Sequence, residues 1–158
     1  MKLRQLLFSW DTIAALIGAA VVHAALPESL PGAFVKDVYG AALSMLSIMF
    51  SVFFAALAII ISSGDNDFIR FLEDEGHYTA ILATFRVTLG ALFVALVASL
   101  ILFADVSFRL ATNPGYCQDK AVLALYALPT TYALVAAVLS VWDAMKYAHF
   151  RTQFTRLK

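Results

Sequence analysis

Charge is scarce in this chain of 158 residues: 14% are Asp, Glu, Lys or Arg, while 62% are hydrophobic and the mean hydropathy is +0.84. Soluble domains average about 25% charged and about 45–50% apolar residues, so a water-facing surface cannot be assembled from this composition. Cysteine is nearly absent. The single Cys117 excludes an internal disulfide and any redox relay built on a cysteine pair. The histidines His23, His77 and His149 are too few and too scattered for a metal cluster or a haem ladder. No glycine-rich phosphate loop, Ser–His–Asp spacing, CxxC or HExxH pattern is present. The sequence therefore offers no catalytic residues, no cofactor, no metal site and no direct nucleic-acid surface. It reads as a non-enzymatic protein of the bilayer.

What is abundant is long apolar runs. Four of them, 7–26, 38–62, 79–104 and 121–145, each supply the ~20 residues that a helix needs to cross ~30 Å of hydrocarbon. The expected fold is all-α: one integral membrane domain over 1–158, a four-helix bundle without any soluble catalytic module. The first run follows Lys2 and Arg4 and resembles a signal peptide, but Asp11 interrupts its apolar stretch, so it is expected to be retained as a helix.

With four spans both termini share a side. That side holds Lys2, Arg4, Arg70, Lys146, Arg151, Arg156 and Lys158, with Arg86 near its boundary, against Lys36, Arg109 and Lys120 opposite. The positive-inside rule predicts that both termini are cytoplasmic, in a bacterial inner membrane. The connections Pro27–Gly32 and Asn113–Tyr116 are rich in turn formers and are expected outside. Between spans two and three, Phe68, Phe71 and Leu72 follow an Asn or Asp cap and precede Gly76, which predicts a short amphipathic helix over 66–75. The tail 146–158 carries Tyr147, Phe150, Phe154 and Leu157 on one helical face with basic residues between them, a membrane-hugging continuation of the fourth helix.

Polar residues inside apolar runs are the candidates for function. Arg86 lies about seven residues into the third span, a costly position unless it snorkels or is paired, and Asp11 and Asp143 are the two candidate ion-pair partners. The same arginine is a candidate for a charged pore mouth or gate. Ser44, Ser47 and Ser51 recur at three and four residues and share a face that either packs against a helix or lines a pore. Pro129, followed by Thr130 and Thr131, marks a kink or a gating hinge in the fourth span. Glu73, Asp74 and Glu75 place negative charge at a helix C-terminus, where the macrodipole disfavours it, and are candidates for docking a soluble partner. Small residues recur on every span, including Ala14 and Gly18, Ala91 and Ala95, and Ala133 and Ala137. A tight bundle with a face left over for neighbours is expected to form a homo-oligomer.

The runs Gly40-Ala41-Ala42-Leu43-Ser44, Glu75-Gly76-His77-Tyr78-Thr79 and Leu89-Gly90-Ala91-Leu92-Phe93, with the apolar second span and polar loop between them, resemble the membrane subunit of the lambda phage Rex exclusion system. They also resemble small four-span proteins found beside phage-defence genes. The resemblance implies a pore-forming or membrane-perturbing effector in abortive infection, controlled by a cytoplasmic partner. Its loop is acidic here rather than basic, so a docking mode does not carry over. A non-conducting anchor or sensor that recruits a soluble effector is the alternative. A proton-coupled carrier ranks below both, because Asp11 and Asp143 are expected near the membrane boundary.

Overall fold

A computed structural model describes residues 10–62 and 77–157, with side chains from 11 to 62, 78 to 142, and at 144 and 145. It contains four helices and two three-residue strands: α1 (Trp10–Ala25), β1 (Ser29–Pro31), α2 (Gly32–Ser62), α3 (His77–Thr112), β2 (Cys117–Asp119) and α4 (Lys120–Leu157). At 1.5 Å per residue, α2, α3 and α4 are about 46, 54 and 57 Å long. All three are long and apolar enough to cross a membrane. The 16 residues of α1 cover about 24 Å, somewhat less than the hydrocarbon thickness.

The principal helix pairs are α1 with α4, α4 with α3, and α3 with α2. Each helix runs against its neighbour's direction, so the first described residue, Trp10, and the last, Leu157, lie toward one end of the bundle. The other end is closed by the strands. Ser29, Leu30 and Pro31 pair antiparallel with Asp119, Gln118 and Cys117, and the alternation of the strands turns Leu30 and Gln118 inward. This cap also fixes the helix starts. The amide of Gly32 donates to the carbonyl of Tyr116 at 2.9 Å, and a Cβ at Gly32 would lie 2.8 Å from that same oxygen, so only glycine fits there. Asp119 caps α4 by accepting from the amide of Ala121 at 2.8 Å. Asn113 shapes the turn after α3, accepting from the amide of Gly115 on its side chain and from that of Tyr116 on its carbonyl.

The helices outrun the sequence boundaries 38–62, 79–104 and 121–145 in a consistent way, because charged residues that mark a membrane edge do not end a helix. Thus α2 begins before Lys36, and α3 continues through the exposed Asp105–Arg109 pair, 2.9 Å apart at i, i+4. Likewise α4 runs unbroken through the tail to Leu157. The strands were not anticipated. The loop helix expected over 66–75 falls outside the described residues, as do Glu73, Asp74 and Glu75.

Candidate functional site: the bundle interior and its outer faces

A pore through one chain would need a polar, open interior. The interior is instead filled in two layers. Near the cap, Leu30, Val35, Tyr39, Val106, Leu123 and Tyr126 form one buried cluster. The rings of Tyr39 and Tyr126 meet edge to face, with centroids 4.9 Å apart at 86°. Toward the end that holds Trp10 and Leu157, Leu46, Phe53, Ile60, Ile81, Phe85, Leu92, Ala95, Ala133 and Ala137 form a second cluster, with Phe53 and Phe85 centroids 5.8 Å apart.

Several buried polar groups bond to one another, while Asp11 Oδ1, Ser107 Oγ and Gln118 Oε1 are buried without a hydrogen-bond partner. Ser99 donates to the carbonyl of Ala95 at 2.8 Å, so at its 2.6 Å bond with Tyr126 the tyrosine hydroxyl is the donor. Gln118 donates through Nε2 to the Tyr39 hydroxyl at 2.8 Å, which ties the cap to α2. Further from the cap, Thr88 reaches the carbonyl of Ala136 at 3.4 Å and Ser140 at 2.5 Å, joining α3 to α4. An apolar cleft of about 270 Å³ opens between α2 and α4 and is lined by Val52, Phe53, Ala56, Phe85, Val141, Ala144 and Met145. It offers an ion no oxygen ligand.

The serines of α2 face away from this interior. Ser44 and Ser51 are exposed and Ser47 is half-buried. Each hydroxyl donates to its own helix backbone: Ser44 to Gly40 at 3.0 Å, Ser47 to Leu43 at 2.7 Å and Ser51 to Ser47 at 2.9 Å. Satisfied in this way, they need neither water nor a partner side chain. Ser44 and Ser51 belong to a longer exposed stripe, Ala41, Ser44, Ile48, Ser51, Ala55, Ala58 and Ser62, which alternates spacings of three and four. Larger exposed residues flank it, Met45, Val52 and Ile59 on one side and Phe54 and Ile61 on the other. Ile48, 66% exposed, stands within the stripe, and beyond it the small residues Ser51, Ala55, Ala58 and Ser62 form a shallow trough on the outside of α2.

Arg86 is exposed on α3 and stands outside the ion pair formed among the described residues. It lies about 28 Å from Asp105 along the helix, close to one hydrocarbon thickness. Side chains lean toward a helix N-terminus, so Arg86 extends toward the end of the bundle that holds Trp10 and Leu157 and can snorkel. Asp11 is not brought to it. Asp11 sits in the seam between α1 and α4 with its Oδ1 atom buried and without a hydrogen-bond partner. The backbone of Asp143 lies in α4, and its side chain is outside the described set.

Pro129 is half-buried within a continuous helix. The Thr130 hydroxyl donates to the carbonyl of Tyr126 at 3.0 Å, the i−4 back-bond of a threonine inside a helix. Cationic and aromatic side chains fringe the capped end: Lys36 lies 5.9 Å from the Phe103 ring centre and Arg109 5.5 Å from that of Tyr116. Cys117 is exposed there as a free thiol. Among the described residues no group of three or more His, Cys, Asp or Glu side chains is arranged to hold a metal ion.

No protein-family model, curated protein or solved structure matches this chain.

Proposed function

We propose that this is a small inner-membrane protein that self-associates through the outer trough of α2 and acts in the bilayer as a pore-forming or membrane-perturbing effector. The observation that carries this reading is the exposed small-residue stripe on α2. In lipid, where burial of apolar area gives no advantage, helices associate through close backbone approach and dispersion contacts. The 3,4-spacing suits a left-handed crossing along the whole helix. A conducting path then forms between copies, because the inside of one copy is filled. The basic residues favour the chain ends in the cytoplasm and the strand cap outside, with α1 completing a fourth span.

The place in phage defence, and control by a soluble cytoplasmic partner at Glu73, Asp74 and Glu75, rest on the resemblance and on that acidic cluster. The filled interior itself favours the second reading, a non-conducting anchor that gathers a soluble effector. Purified protein in liposomes separates the two, assayed alone and with any soluble protein that co-purifies. Ion flux or dye leakage is expected. Tight vesicles in both conditions, with a stoichiometric soluble partner lost on changing Glu73, Asp74 and Glu75 to Ser, would favour the anchor instead.

A further inference from the structure

The side of α1 that meets α4 carries Asp11, Ala15, Gly18 and Val22, at spacings of four, three and four. This seam is tight. Ala15 is buried, and a Cβ at Gly18 would come within 2.8 Å of the Thr131 hydroxyl. Asp11 shares that face, about 21 Å down the helix from Ala25, and its Oδ1 is buried without a hydrogen bond. Asp11 as a whole is half-buried, and its buried Oδ1, lacking a donor, favours the neutral acid over the ionised carboxylate.

We propose that Asp11 is a proton-binding site that controls the docking of α1 on α4. Protonated, it lies in the seam and lets Gly18 close on Thr131. Ionised, it is drawn toward water at the end of the bundle that holds Trp10 and Leu157, and the seam loosens. A proton suits the site better than a metal ion, since one carboxylate supplies too few oxygen ligands. Among the described side chains of α4, the helix packed against α1, Tyr132 is the titratable residue beside Thr131, the contact of Gly18. The sign follows from these groups: docking holds at acid pH and is lost as pH rises through the titration of Asp11. The inference does not depend on conduction or on self-association.

The test uses the full chain in lipid nanodiscs, with Cys117→Ser, Gly18→Cys and Thr131→Cys. The Gly18 Cβ position lies 3.3 Å from that of Thr131, close to the separation a disulfide spans. Disulfide formation is compared at each pH with the same protein carrying Asp11→Asn, which cancels the titration of the thiols themselves. The ratio of the Asp11→Asn rate to the parent rate is expected to rise at least tenfold from acid to alkaline pH. A constant ratio would overturn the proposal. Difference infrared spectroscopy on the parent chain gives an independent reading. A protonated-carboxyl band is expected that shifts with Asp11→Glu and disappears with Asp11→Asn, and no such band at any pH would also overturn it.

Discussion

At the scale of single residues, the bundle depends on a few positions where size or a hydroxyl decides the geometry. Gly18 is one. Leucine there would drive its side chain into Thr131, and overpacking of this kind costs about 1–3 kcal/mol. Gly18→Leu is expected to expose α1 to proteolysis while α2 to α4 stay folded, whereas Gly90→Leu, which meets nothing within 4 Å, is expected to be neutral. Tyr39 is another. Its hydroxyl accepts from Gln118, a residue only 5% exposed whose Oε1 is already without a partner. Tyr39→Phe leaves the amide wholly unpaired and is expected to cost about 1–3 kcal/mol. Gln118→Leu in the same chain should recover most of that loss, because the buried polar group goes with it. A double-mutant cycle in detergent unfolding measures the coupling. Additive effects would show that the 2.8 Å bond contributes nothing.

At the scale of elements, Pro129 is the position where structure and function can be pulled apart. Its ring removes the amide that would bond to the carbonyl of Leu125, yet α4 continues on both sides. Pro129→Ala is expected to slow amide exchange over residues 126–133 by roughly tenfold, equivalent to about 1.4 kcal/mol of added local protection. Unchanged exchange would mean that the ladder is already closed there.

The helices were legible because each needs only an apolar run, and a run is visible in one sequence. The strand cap was not: Ser29–Pro31 and Cys117–Asp119 are three residues each, too short for period-two alternation to stand out, and their pairing is set by helices far apart in sequence. Their only local signal is the apolar–polar pattern around Leu30 and the Asp119 cap before α4. For the same reason the buried pairs Ser99–Tyr126 and Thr88–Ser140 were missed. A serine or threonine in an apolar helix looks alike whether it bonds to its own backbone, as Ser44 and Ser51 do, or to another helix. Asp11 and Arg86 stand out in the sequence as charges within apolar runs. Sequence spacing cannot tell which helix a side chain faces, and they turn to different surroundings.

At the scale of the whole molecule, the opposition is between a closed inside and an unfinished outside. Among the described residues both layers of the core are filled by aromatic and aliphatic groups, and the hydroxyls of Ser99, Tyr126, Thr88 and Ser140 are bonded to one another across helices, so these layers line no aqueous path. The trough on α2 has the size pattern of a helix contact and no partner among the described residues. Replacing Ser51 and Ala55 together by Leu fills it, and this variant is expected to remain folded and membrane-bound but to lose its oligomer in crosslinking and photobleaching counts. An unchanged copy number would move the interface to another face. The most direct test of the central claim is ion flux into liposomes as a function of the number of copies per vesicle, with copies counted in the same vesicles. Vesicles holding one copy should stay tight, with flux beginning only when several are present and absent throughout for Ser51→Leu/Ala55→Leu. Flux from vesicles with a single copy would contradict the account.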